Sequence, residues 1–133
     1  MTELLNALVG TWTGEARHPA FPGVTVPVRA TFEWLEGEHF LIWRWRMDHP
    51  DFPDSLSVIG SGELHYFDSR GVQRVYEVAV SGREWRMSRD APGFSQRFAG
   101  TLSDDGDTLS GLWRLSRDGE TWEDDLEIVF RRA

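Results

Sequence analysis

The stretch Glu63-Leu64-His65-Tyr66-Phe67-Asp68-Ser69-Arg70-Gly71-Val72-Gln73-Arg74-Val75-Tyr76-Glu77 gathers acid, imidazole, phenol and guanidinium groups within a few residues of one another. With Ser69-Arg70 at the tip of a hairpin, His65 falls across from or near Arg74, and Glu63 and Tyr76 are neighbours on the same face. Facing inward, such a group can fix a carboxylate or carbonyl ligand, or move a proton, because imidazole titrates near neutrality and guanidinium holds oxyanions. Facing outward, it is a charged hairpin surface. A one-residue change in turn register exchanges the two readings. Arg97, in Ser95-Gln96-Arg97-Phe98-Ala99, sits mid-strand among apolar or small neighbours. It is either an Arg snorkelling at the outer surface or a buried cation that awaits an acidic ligand.

Other chemistries are excluded or unsupported. The chain has no Cys, which removes disulfides, thiolate catalysis and Cys-ligated metal centres. All 14 basic residues are Arg, so neither Schiff-base chemistry nor a P-loop lysine is available. There is no Gly-x-Ser-x-Gly, no His-Glu-x-x-His and no glycine-rich nucleotide loop. His18, His39 and His49 sit in loops or at strand starts without tight ligand spacing, so no metal site is expected. Asp104-Asp105-Gly106-Asp107 lacks the spaced ligands and twelfth-position Glu of a calcium loop and reads as a solvated hairpin. A net charge of -8 repels phosphodiester backbones, so nucleic acid is not an expected partner. No apolar run reaches the roughly 18 to 20 residues of a membrane span, and the start lacks a secretory signal. A cytoplasmic protein without a membrane partner is the resulting expectation.

These side chains need a scaffold, and the spacing supplies one. The 133 residues fit one domain, 1–133. Leu4, Leu5, Leu8 and Val9 recur at helical spacing behind Thr2, a candidate N-cap, before Gly10 ends the helix. From Thr11 the period changes to two, with Trp12, Gly14 and Ala16 on one face. Strands are expected at Val24 to Leu35, His39 to Met47, Ser57 to Phe67 with a bend or bulge at Gly60 and Gly62, and Val72 to Val80. Further strands follow at Glu84 to Arg89, Ser95 to Leu102, Leu109 to Ser116 and Trp122 to Arg131. In His39 to Met47 the residues Leu41, Trp43, Trp45 and Met47 alternate with Phe40, Ile42, Arg44 and Arg46, and parity does not choose the inside. Asp48 to Asp54, long and proline-punctuated, is a candidate portal or lid. Nine or ten antiparallel strands with short connections make an up-and-down β-barrel. Gly10-Thr11-Trp12 entering the first strand, with Arg131 or Arg132 stacked on the indole, would plug one end.

Gly10-Thr11-Trp12, Asp51 to Ser55, Tyr66 to Val72, Asp90 with Phe94 to Phe98, and Gly111-Leu112-Trp113 with Asp118 to Trp122 together resemble an uncharacterised bacterial family of lipocalin-like barrels. The resemblance covers nearly the whole chain. It implies a calycin-type fold and brings no catalytic residues with it. A more remote resemblance is to nitrobindin, a haem-binding ten-stranded barrel whose proximal ligand is a late His. No His follows His65 here, so the resemblance does not supply that ligand and no cofactor is expected.

The first expectation is therefore a barrel that binds a small hydrophobic or anionic molecule, with Trp43, Trp45, Trp85 and Trp113 as walls and Arg74, Arg97, His65 and Tyr76 as polar anchors. A second is an isomerase, cyclase or hydrolase in the same cavity, with His65 as acid or base, Tyr76 as proton donor and Arg97 as oxyanion partner. The third is a barrel filled by its own tryptophans that acts through its surface or as a homodimer along an exposed strand.

Overall fold

The computed structural model describes residues 2–133 without the side chain of Thr2, so the expected N-cap lies outside the described residues. A short helix α1 (Thr2–Leu8) precedes β1 (Gly10–Arg17), β2 (Val26–Trp34), β3 (Leu41–Met47), β4 (Ser55–Gly60) and β5 (Glu63–Asp68). Then follow β6 (Gln73–Ser81), β7 (Glu84–Arg89), β8 (Ser95–Leu102), β9 (Thr108–Ser116) and β10 (Glu123–Arg132). Each strand pairs antiparallel with its neighbours in the chain, and β1 pairs with β10 to close the barrel. Among the described residues closure leaves no strand edge of the sheet unpaired.

The strand count of ten comes from the segment expected to be one bent strand. Ser61 and Gly62 both take positive φ, 54° and 75°, which is the two-residue hairpin turn whose twist matches its flanking strands. Val78 donates its N–H to the Gly62 carbonyl at 2.8 Å, and the segment folds back as β4 and β5. The paired glycines mark a hairpin here and not a bulge.

One barrel end is sealed as the Gly-x-Trp frame implies. Leu4, Leu5 and Leu8 of α1 are buried over the barrel floor, and Trp12 has no solvent exposure. The Trp12 indole donates to the Leu8 carbonyl at 2.9 Å, and the Arg132 guanidinium lies 4.3 Å from the ring centroid. Arg132 also donates to the carbonyls of Ala7 (2.5 Å) and Val9 (2.9 Å), where the helix ends, and to that of Gly106 (3.0 Å) in the β8–β9 turn. Above this plug lies an aromatic core. Phe32 stacks on Trp43 at 5.3 Å, and Trp85 meets Trp43 and Phe98 edge-on at 5.1 and 5.2 Å. The buried indole N–H groups of Trp43 and Trp85 have no hydrogen-bond partner among the described residues.

Candidate functional site

The connections after β1, β3, β5, β7 and β9 all emerge at the end opposite α1, because an up-and-down chain returns every second junction to the same rim. Beneath that rim lies a cavity of about 320 Å3. Trp43, Trp45 and Met47 of β3 line one side, Tyr66, Arg74 and Tyr76 of the β5–β6 hairpin another, and Gln96 and Trp113 a third. Phe52 of the β3–β4 loop and Phe94 of the β7–β8 loop reach in from the rim, so the loop expected as a portal or lid does border the cavity.

The β5–β6 hairpin decides which polar groups enter. Its connection is the three residues Ser69-Arg70-Gly71, with Gly71 at φ 85° and Asp68 donating its N–H to the Val72 carbonyl at 3.1 Å. That is one residue more than a tip at Ser69-Arg70 assumes, and the register shifts accordingly. His65 pairs with Val75, and Tyr66 pairs with Arg74. Arg74 and Tyr76 therefore point into the barrel beside Leu64 and Tyr66, while His65 turns outward, where its imidazole sits 3.6 Å from Glu63. The expected inward His65 is thus corrected by register.

Strand β4 is patterned in reverse. Ser57 and Ile59 are buried inward, and Ser55 and Ser57 line the cavity, while Leu56 and Val58 alternate with them on the outer face. The inner wall gains hydroxyls at the expense of aliphatic surface.

Two different polar arrangements result. Asp68, whose side chain is shielded from solvent, accepts from the Tyr66 hydroxyl (2.7 Å), the Arg70 guanidinium (2.7 Å) and the backbone N–H groups of Arg70 (2.9 Å) and Val72 (3.3 Å). Burial alone would raise its pKa, but these donors outweigh burial and hold the carboxyl well below the usual carboxylate range. Tyr66, desolvated and bonded to that carboxylate, is pushed upward and keeps its proton. Burial likewise pushes the Tyr76 hydroxyl up. It donates to the Gln96 side-chain oxygen at 2.7 Å, which leaves the Gln96 amide N–H groups facing the cavity without a described partner. Arg74 is the contrasting case. Half-buried on the cavity wall, its guanidinium lies 5.2 Å from the Phe94 ring centroid and 5.9 Å from that of Tyr66, and no carboxylate of the described residues pairs with it.

At the rim a short sequence recurs. His18-Pro19-Ala20-Phe21-Pro22 and His49-Pro50-Asp51-Phe52-Pro53 are the same His-Pro-x-Phe-Pro pattern in the β1–β2 and β3–β4 loops. Each His accepts at Nδ1 the backbone N–H two residues on, Ala20 at 3.0 Å and Asp51 at 3.1 Å. Each Phe donates its backbone N–H to the His carbonyl, at 3.0 and 3.2 Å. The two modules pack together. Phe21 lies 5.8 Å from both His49 and Phe52, and His18 lies 6.3 Å from Phe52. The His18 ring, accepting at Nδ1, donates Nε2–H to Asp125 at 2.9 Å. Asp125 is placed there by a β-bulge. Asp124 pairs with Arg114 and Leu126 with Trp113, so Asp125 is the extra residue and its side chain is re-aimed at the rim.

Of the anchors and walls expected from sequence, the cavity brings together Trp43, Trp45, Arg74, Tyr76 and Trp113. Trp85 is fully buried in the core below and does not line it. Arg97 is corrected outright. Since Gln96 and Phe98 face inward, Arg97 faces out, pairs with Asp90 at 2.6 Å and covers the Trp122 ring at 4.8 Å. The His65, Tyr76 and Arg97 constellation required for acid–base chemistry is therefore not assembled. Sequence reasoning missed Tyr66, Gln96, Phe94, His18 and Asp125. The repeated pentapeptide was the available signal for His18, while the bulge at Asp125 leaves no mark in a period-two pattern. Among the described residues, no group of three or more His, Asp or Glu side chains is placed to hold a metal ion.

No protein-family model matches the chain, and no curated protein matches it in sequence. Among solved structures, it is similar to the crystal structure of Rv2717c from M. tuberculosis at 18% sequence identity, with a TM-score of 0.70 over 98% of this chain and 96% of that chain. At that identity the likeness is one of fold, and it extends over essentially the full length of both barrels.

Proposed function

We propose that this lipocalin-like barrel is a cytoplasmic binding protein for a small, largely apolar anion, held in the open-end cavity with its acid group against Arg74. The observation that carries this reading is the Arg74 guanidinium, half-buried between the Phe94 and Tyr66 rings with no carboxylate partner among the described residues, while the nearby Asp68 and Asp125 are engaged by Arg70 and His18. A partly desolvated cation without a counter-charge is costly, and an entering carboxylate removes that cost through charge-assisted hydrogen bonds. The Gln96 amide offers a second donor deeper in, and Trp43, Trp45 and Trp113 give the apolar body broad faces to cover. Steering by overall charge works against an anion at a net -8, so selection rests on the local guanidinium and on the aromatic walls.

Calorimetric titration with 2-naphthoic acid and with dodecanoic acid tests the reading. Saturable one-to-one binding is expected, and Arg74→Leu weakens it about 10- to 100-fold, the range for losing a hydrogen bond to a charged group. Arg97→Leu, on the outer face, leaves the affinity unchanged. Equal affinity in the wild type and Arg74→Leu, or no binding by either acid, rejects the proposal.

A further inference from the structure

A second recess adjoins the barrel cavity. It is a groove of about 420 Å3 on the flank of the barrel, between the β1–β2 loop and strands β9 and β10, floored by Pro19, Phe21, Pro22, Val24, Leu112 and Leu126. Arg17, Asp124 and Glu127 stand among its other lining residues. His18, Asp125 and Leu126 line both spaces. What divides them is thus narrow, and its polar part is the single hydrogen bond from His18 to Asp125. Both side chains are part-exposed, at 28% and 23%, where a lone contact of this kind is a weak restraint. Each is also mounted outside the regular strand ladder. His18 heads the β1–β2 loop, fixed through Nδ1 to the loop's own Ala20 N–H, so it travels with the loop. Asp125 is the unpaired residue of the β10 bulge, free of the ladder that fixes its neighbours.

We propose that the His18–Asp125 contact is an openable partition, and that the flank groove is the second compartment of one two-part site. Resting on the anion-binding reading above, it adds the class of ligand: an acid whose apolar body fills the barrel and whose uncharged aliphatic tail passes the parted His18 and Asp125 into the groove. The floor of the groove is apolar and suits such a tail. Asp124, Asp125 and Glu127 outnumber Arg17, the one cation of the groove lining, and so disfavour a second negative group there, which sets the orientation with the acid at Arg74.

Calorimetry with 2-naphthoic acid and its 6-hexyl derivative separates this inference from the reading beneath it. The hexyl tail is expected to tighten binding tenfold or more. Val24→Asp, an exposed position, and Leu112→Glu each place a charge in the groove and should abolish that gain while leaving the affinity for 2-naphthoic acid within about twofold. A hexyl derivative no tighter than the parent acid, or a gain that survives both substitutions, overturns the two-compartment site and leaves the Arg74 site standing. If neither acid binds, or binding ignores Arg74→Leu, both readings fall.

Discussion

Asp68 and Arg74 lie one on each arm of the same hairpin and have opposite electrostatic fates. Asp68 is saturated with donors, and its depressed pKa is a statement about stability. A carboxylate whose folded pKa lies below its unfolded value contributes fully above the ordinary range near pH 4, and the contribution is lost as pH falls through the lower, folded value. Asp68→Asn should cost about 1.5 to 3 kcal/mol at pH 7, the range for hydrogen bonds to a charged group. It should also flatten the decline of stability on acidification below about pH 4. Chemical denaturation across pH would show it, and parallel wild-type and variant profiles would contradict the assignment. Asp118, held down at about 2 by the backbone N–H groups of Thr121 and Glu120 and then by Ser116, titrates in the same acid region, so the wild-type decline is softened and not erased in the variant. Arg74 has no such saturation, and this is why the ligand reading rests on it. At this scale the sequence was informative about residue type and misleading about direction. An acid, a phenol and a guanidinium do converge, yet through Tyr66 and Arg74, because the Gly71 turn holds three residues where two would have turned His65 inward.

Most strands were legible from period and punctuation, since turn glycines and alternating apolar residues reflect backbone demands that act locally. What was not legible depends on the partner strand. The inside of β3 could not be chosen from its own residues, because both faces carry large apolar groups. It is chosen by β2, whose Phe32 pairs with Trp43 and whose Ala30 pairs with Trp45 once the 35–40 connection sets the register. The β10 bulge is of the same kind, visible only where Asp124 and Leu126 pair with consecutive residues of β9. Close approach between elements is equally non-local. Gly14 in β1 reads as one more residue of an alternating face, yet a Cβ there would lie 1.8 Å from the Val129 carbonyl oxygen of β10. The backbone on both sides is fixed by the closing ladder, so the clash cannot be relieved by a rotamer change. Gly14→Ala should destabilise by about 3 kcal/mol or more, at the upper end of overpacking costs. Gly62→Ala, with open space around its Cβ but a φ of 75°, should cost only the smaller strain of a left-handed residue, about 1 kcal/mol. Comparable midpoints for the two variants in urea would mean that the β1–β10 seam is looser than described.

A closed barrel divides its labour between its ends, and this molecule does so along its axis. The open end carries loops, half-buried charges and a cavity, all features that cost stability, whereas the far end carries α1, Trp12 and Arg132. The plug also resolves a problem of closure. Chain start and chain end must meet at the β1–β10 seam, where the ladder is shortest of covalent help, and Arg132 ties α1, the β8–β9 turn and the Trp12 ring together from the last strand. Trp12→Ala should therefore cost about 3 to 5 kcal/mol, the range for a large aromatic removed from a core. Arg132→Ala should cost less, about 1 to 3 kcal/mol, since it strips charge-assisted bonds to carbonyls that water can still reach. The two losses should not add, because each group holds the other in place, and a double-mutant cycle would read the coupling directly. Additive losses would mean that the indole and the guanidinium stabilise the end independently. Because this end lies across the aromatic core from Arg74, both variants should bind 2-naphthoic acid with wild-type affinity wherever they remain folded. A weakened affinity in folded Arg132→Ala would show instead that the two ends are mechanically linked through the Trp43, Trp85 and Phe98 stack.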